Sequence, residues 1–505
     1  MPRTALVAAA LVMSSLTMRA APDTVSVDGG RIAGTVDRGV RVFKGIPYAA
    51  PPVGPLRWRP PQPVVAWNGV RDGAAFGAEC PQTQYPAGSV YIRPIQKQSE
   101  DCLFLNVWTA AKAGDRKPVL VWIHGGALTK GSGISDTRDG VPLAGKGVVL
   151  VSLNYRLGPL GYLAHPELTA ESPQHSSGNY GVLDQIAALT WVQKHIAAFG
   201  GDPAVVTIAG ESAGSWSVNT LVASPLAKGL FIRAIGESGG RFDRTPLLNA
   251  DRPGAPSAES VGVALAQAAG AGSLAELRAV AAEKLIAISP FRTRENVDGW
   301  VLPDEIKTIF ARKQHNNVPV IVGSNANEMT SLLPGGRTPP GQPMSDEMKA
   351  AYGVTSDADA ADALLASLRD TVFSLHMRSW ARATVDAGSK AYLYYFTHVP
   401  PSPRAKELKA FHAGEIPYVF NVVPSKDPRE AGFAYTDVDA KLADAMSSYW
   451  VNFATTGDPN GVGLPAWPVY DRSDEPYLEF GDTIAVGHHL LKRELDHQER
   501  VRSGS

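Results

Sequence analysis

Cysteine is nearly absent: 505 residues contain two, Cys80 and Cys102. A scaffold held by many disulfides is therefore excluded. No His or Cys pair sits at ligand spacing near either one, so no metal centre is expected. Net charge is also missing, since 48 Lys and Arg against 49 Asp and Glu leave -1 and an isoelectric point of about 6.8. Such a balance gives no attraction toward nucleic acid or an anionic membrane surface, and electrostatics names no partner. Beyond the first residues no apolar run is long enough to cross a bilayer, so no membrane anchor is expected. Internal repeats and extended low-complexity tracts are lacking too.

What remains is ordinary globular composition, 44% hydrophobic and 19% charged. Length alone would suggest about three domains of roughly 150 residues, but large α/β enzymes break that rule as single domains. At the N-terminus Arg3, an apolar run over 5–18, and the small residues Ala20 and Ala21 before Pro22 make an export signal. Its run is too short to span a bilayer and ends near a cleavage site, which predicts a signal peptide over 1–21 and one mature domain over 22–505. The protein is thus expected outside the cytoplasm, periplasmic or extracellular. The alternative is an untidy hydrophobic start on a cytoplasmic enzyme. In an exported chain the even pair Cys80 and Cys102 is read as one disulfide, with two free buried thiols as the alternative.

Residues 24–27 and 31–36 flank Asp28-Gly29-Gly30, which is hairpin chemistry. Proline is dense from Pro47 to Pro63, predicting an ordered but irregular wrap. Short, wholly apolar runs at 119–123, 148–153, 205–209, 318–322 and 391–396 read as central parallel strands. Between them Val182, Ile186, Leu189, Val192, Ile196 and Phe199 form one helical stripe, stopped at Gly200-Gly201-Asp202-Pro203. Strands alternating with helices predict an α/β fold whose mostly parallel sheet is covered on both faces. Residues 246–301 and 332–377 look inserted, the latter with a Pro339-Pro340 break and an Ala/Asp-rich helix. Such insertions either roof an active site or merely elaborate the surface.

Gly210-Glu211-Ser212-Ala213-Gly214 fits a nucleophile elbow, a serine on a strained turn between strand and helix. A second match occurs at Gly236-Glu237-Ser238-Gly239-Gly240, and context separates the two. Ser212 leads into 215–223, free of Gly and Pro, whereas Gly239, Gly240 and Pro246 after Ser238 cannot open a stable helix. Ser212 is therefore the expected nucleophile. His124-Gly125-Gly126-Ala127 directly follows a strand and matches the glycine-rich segment that offers backbone N–H groups to an oxyanion. Gly126 and Ala127 are expected donors, with Ala213 supplying the third.

With these motifs the chain resembles the type-B carboxylesterases, the family of para-nitrobenzyl esterases and cholinesterases. Five stretches carry the likeness: 43–58 (FKGIPYAAPPVGPLRW), 99–108 (SEDCLFLNVW), 154–163 (NYRLGPLGYL), 178–203 (GNYGVLDQ through FGGDP) and 206–217 (VTIAGESAGSWS). The resemblance implies an α/β-hydrolase fold with inserted cap segments, and a serine carboxylesterase acting on small-molecule esters without a cofactor. It implies Glu328, in Gly323-Ser324-Asn325-Ala326-Asn327-Glu328, as triad acid, and His412, in Ala410-Phe411-His412-Ala413-Gly414-Glu415, as base. The order Ser, Glu, His is the one this fold uses. Met329 stands where the family has glycine, would crowd that loop and is a possible pocket residue; Asn327 replaces an aspartate.

By the same resemblance Arg57 with Glu100, and Arg156 with Asp184, are architectural ion pairs. Glu211 shapes the electrostatics of the site, and Ser238 is a second serine hydrogen-bonded near the triad. Leu128 replaces an aromatic residue after the oxyanion segment and Trp216 lies just past the elbow, so both either line the pocket or pack in the core. Substrate identity, oligomeric state and whether the insertions touch substrate are not written in these motifs. Machinery of this kind also serves amides, lactones or polyesters, and the fold includes catalytically silent binding proteins that have usually lost the serine or histidine.

Overall fold

The computed structural model describes residues 23–94, 96–134, 139–288, 293–333, 344–424 and 433–503. The signal segment and the Pro339-Pro340 break lie outside them. Among the described residues eleven strands form one sheet. From one edge they run Ile484–His488, Pro476–Phe480, Ala391–Phe396, Val320–Asn325, Arg233–Glu237, Gly201–Glu211, Lys117–Ile123, Val149–Leu153, Phe104–Thr109, Val40–Pro47 and Thr35–Asp37. Pairing is parallel from Pro476–Phe480 to Val149–Leu153 and antiparallel at both margins.

Because successive side chains on a strand point to opposite faces, the apolar central strands supply two cores at once. Val119, Val121, Ile123, Val151, Ile208 and Val322 enter one; Leu120, Trp122, Leu150, Ile235 and Tyr394 enter the other. Helices Tyr180–His195, Ala213–Ala223 and Leu375–Asp386 pack on the first core, and Asp437–Thr456 on the second. This is the mostly parallel sheet covered on both faces that the alternation of strands and helices predicts, and the α/β-hydrolase arrangement that the resemblance implies.

The helical stripe continues beyond His195 as a 3-10 turn, Ile196–Phe199, and ends on left-handed Gly200 (φ 89°). Strand Gly201–Glu211 begins earlier than its apolar run suggested, carrying Pro203 near its start. The expected hairpin is split. Gly30–Ala33 pairs with Thr24–Val27 in a small sheet, whereas Thr35–Asp37 crosses to the edge of the large one. The proline-dense stretch is irregular apart from one 3-10 turn, Gly54–Leu56.

Cys80 and Cys102 form a disulfide. Arg57 Nε donates to Glu100 at 2.7 Å, and Arg156 grips buried Asp184 through Nε and Nη2 at 2.8 and 2.7 Å. Arg57 also donates to the carbonyls of Arg278 and Val280, which ties the 246–301 insertion to the proline-rich wrap. No helix among the described residues is long and apolar enough to cross a membrane.

Candidate active site

Strand Gly201–Glu211 ends at Ser212, which holds φ 56° and ψ -122° before helix Ala213–Ala223 begins. A non-glycine residue accepts that backbone only where its surroundings fix it. Here the Ser212 N–H donates to Glu237 O at 2.9 Å. The bend is so tight that a Cβ on Gly210 would lie 2.7 Å from Ile123 O, and one on Gly214 would run into the same carbonyl. That is the physical reason for glycine two positions either side of the serine. Ser238 also has positive φ, 49°, at the end of the neighbouring strand, but no helix follows and it is wholly buried.

Two loops from further along the sheet come to the same end. Glu328 follows strand Val320–Asn325, and His412 follows Ala391–Phe396 and the helix Pro403–Leu408. His412 Nδ1 and Glu328 Oε2 are 2.6 Å apart, and Glu328 Oε1 accepts from Asn325 N at 2.7 Å. Asn325 Nδ2 in turn donates to Phe411 O at 2.8 Å and to Glu415. One asparagine thus fastens the histidine turn to the strand end. Phe373 packs on the imidazole at 4.8 Å between ring centroids. Tyr91 Oη donates to His412 O at 2.9 Å and shares a hydrogen bond of 2.6 Å with Ser331 Oγ.

His412 lies between two carboxylates, with Glu211 Oε1 3.1 Å from Nε2. Burial pulls the imidazole pKa down, but the charges of Glu211 and Glu328 and the hydrogen bond to Glu328 outweigh it and lift the value to about 9. Two more buried carboxyl groups stand behind. Glu237, the Cα partner of Glu211, accepts from Trp450 Nε1 at 2.8 Å. Burial, with the negative charges of Glu415 and Glu211, holds its pKa well above normal. Glu415 is lifted to about 8 by burial and by Glu211 and Glu328.

Ser212, His412, Glu211, Gly125, Gly126 and Ala127 line one cavity of about 190 Å³. The amides of Gly126 (φ 105°) and Ala127 (φ 56°) donate to no described residue, and Ala213 N–H opens its helix with no partner one turn back. The remaining wall includes Tyr85, Val90, Tyr91, Arg93, Phe411 and Ile416. Of these only Phe411 falls within a motif, beside His412; Ile416 lies four residues beyond it, and the others lie in the loop between Cys80 and Cys102.

Three residues read as possible pocket wall stand elsewhere. Leu128 is 1% exposed in the core, Trp216 packs against Arg241 at 4.8 Å, and Met329 is buried at the start of the short helix Met329–Leu332. The Ser238 hydroxyl, expected to hydrogen-bond near the triad, has no such partner among the described residues. The 246–301 insertion contributes no described residue to the cavity wall, and the 332–377 insertion contributes Leu332.

A serine on a strained strand-to-helix turn at the centre of this sheet, with the other motifs gathered at the same strand ends, fits an α/β-hydrolase of the serine ester hydrolase class. The chain belongs to the carboxylesterase family, whose model matches residues 21–357 and 341–498. Among curated relatives it is 38% identical to fumonisin B1 esterase of Sphingopyxis macrogoltabida over 90% of this chain and 86% of that protein. It is 35% identical to para-nitrobenzyl esterase of Bacillus subtilis (strain 168) over 92% and 95%. Among solved structures a PNB esterase superposes with TM-score 0.80 at 32% identity, covering 95% of this chain and 99% of that one. A Geobacillus stearothermophilus carboxylesterase gives 0.80 at 34% identity over 94% and 99%.

Proposed function

We propose that Ser212, His412 and Glu328 are the catalytic triad of this carboxylic ester hydrolase. His412 takes the proton of Ser212 as Oγ attacks the ester carbonyl, and Glu328 fixes the imidazole through Nδ1 and stabilises the imidazolium. The N–H groups of Gly126, Ala127 and Ala213 receive the oxyanion, each contributing about 3 kcal/mol of barrier lowering. The alcohol leaves with the proton from His412, water repeats the attack, and the acid departs. The observation that carries this assignment is convergence: Ser212 and His412 line one cavity, with Glu328 2.6 Å behind the imidazole. The mostly apolar and aromatic wall of a cavity this size suits a small uncharged ester.

The site sits in one α/β-hydrolase domain spanning 22–505, released outside the cytoplasm after loss of 1–21. The N-terminal pattern and a disulfide that needs an oxidising compartment support that location. The direct test is labelling with a fluorophosphonate and mapping the adduct, alongside rates for two serine variants. The expected outcome is an adduct on Ser212, no turnover for Ser212→Ala and retained turnover for Ser238→Ala. An adduct on Ser238, or the reverse order of activities, overturns the assignment.

A further inference from the structure

A second cavity, about 660 Å³, opens between helices Ile306–Ala311, Leu375–Asp386 and Lys492–Ser503, and shares no lining residue with the first. Its floor is apolar. Phe242 and Phe310 meet edge to face at 5.1 Å beside Leu375, all three buried. Its rim carries Lys307, Arg502 and Arg500, the last 3.8 Å from Glu347. Asp496 and Glu499 also line it, but both are engaged. Asp496 accepts from Arg378 and Lys492, each at 2.8 Å, and Glu499 accepts from Arg382 at 2.9 Å and lies 3.1 Å from Arg378.

Arg502 is held in an unusual way. Its Nη2 donates to Thr371 O at 2.7 Å and lies 3.0 Å from His376 Nε2. The other ring nitrogen, His376 Nδ1, faces the N–H of Phe242 at 3.1 Å. A neutral imidazole has one acceptor nitrogen, and a guanidinium accepts nothing, so two donors compete for one lone pair. One N–H therefore lacks an acceptor in either tautomer. Asp243, the nearby carboxylate, is shared with Arg241 at 3.8 Å and Arg294 at 3.5 Å. Burial lowers the Arg502 pKa despite the attraction of Asp243, as expected of a cation short of a counter-charge.

We propose that this cavity binds an amphipathic monocarboxylate, its carboxylate on Arg502 and its hydrocarbon chain along Phe242, Phe310 and Leu375. A carboxylate supplies Arg502 with the counter-charge that Asp243, shared by two other arginines, leaves incomplete, and the floor removes the chain from water at roughly 0.8 kcal/mol per CH₂. The ligand has the chemistry of an acid released by ester hydrolysis, held at a place distinct from where the ester is cut. A volume of this size lies within the usual range for small-molecule sites.

The test uses full-length protein whose active serine is blocked by a phosphonate, with complete loss of esterase activity checked first. Sodium decanoate is then titrated calorimetrically, beside decyltrimethylammonium of equal chain length. Saturable one-to-one binding of decanoate is expected, with none for the cation. Arg502→Gln should weaken decanoate at least about tenfold. If that variant fails to fold, Lys307→Glu on the exposed rim should weaken it severalfold. No decanoate binding to blocked protein, equal binding of the cation, or unchanged affinity in the folded variant overturns the proposal.

Discussion

Replacing Glu211 by glutamine removes a charge 3.1 Å from His412 Nε2 without changing the shape of the side chain. The imidazole is held at about 9, so His412, as the base proposed above, must lose its proton to act and gains activity with rising pH until beyond that value. At pH 7 roughly one free enzyme molecule in a hundred carries the neutral base, by the two-unit gap. A neighbouring opposite charge shifts a pKa by about 1–3 units, and with Glu328 still in place about 1.5 is reasonable. The midpoint of the acid limb should then fall to about 7.5. The transition state, however, also contains an imidazolium and loses the same support, about 2 kcal/mol. The alkaline plateau of kcat/KM should drop roughly thirtyfold, while the limbs below pH 7 coincide. Initial rates with a small neutral ester from pH 5 to 10 at constant ionic strength check this. A lowered plateau with an unmoved midpoint would refute the electrostatic account, as would a moved midpoint with full plateau activity.

Tyr91→Phe removes the hydrogen bonds to His412 O and Ser331 Oγ; kcat should fall about fivefold, equivalent to roughly 1 kcal/mol, while the thermal midpoint stays within a few degrees. Unchanged kcat would show that the tyrosine does not position the histidine turn. Glu415 keeps its proton to about 8 in the native state against an ordinary value of 4.5, so the folded chain binds more protons than the unfolded one across that window. Its contribution to stability must decline as pH rises from 4.5 to 8, and Glu415→Gln should flatten that fall in urea titrations at pH 5 and 8. An unaltered pH slope would place the proton elsewhere. Gly214→Ala drives a methyl group into the Ile123 carbonyl and should cost about 3 kcal/mol or more, seen as a lost or sharply lowered melting transition; a melting temperature within a degree of the parent would mean that the elbow can relax.

Five central strands were legible because each is apolar on both faces; central Arg233–Glu237, which begins with Arg233 and ends in Gly236 and Glu237, and the edges of the sheet were not. Phe104–Thr109 carries Asn106, whose side chain accepts from Gly45 N and donates to Ser152 Oγ. Pro476–Phe480 alternates buried and half-buried residues. Both strands break the uninterrupted apolar pattern and were passed over for that reason. Around the site, the motif residues could be named because backbone constraint leaves a local signature: glycines flanking a serine, or a glycine pair after a strand. The walls leave none. Tyr91 and Phe373 reach His412 from 321 positions before it and from the preceding insertion, through contacts that only the tertiary fold creates. Glu237 was visible only as part of a rejected motif, and its place beside Glu211 comes from strand register, which no local pattern records.

The loop between Cys80 and Cys102 supplies Tyr85, Val90, Tyr91 and Arg93 to the cavity. It is also pinned by half-buried Arg93 pairing with buried Glu79, and by Lys130 donating to Thr83 O at 2.7 Å. One side of the entrance is therefore a finished aperture whose ordering entropy was spent during folding, before any ester arrives. On that side the cavity is bounded by a covalent ring. In a strongly reducing medium that rim should loosen first, and the enzyme should become less selective before it becomes less active.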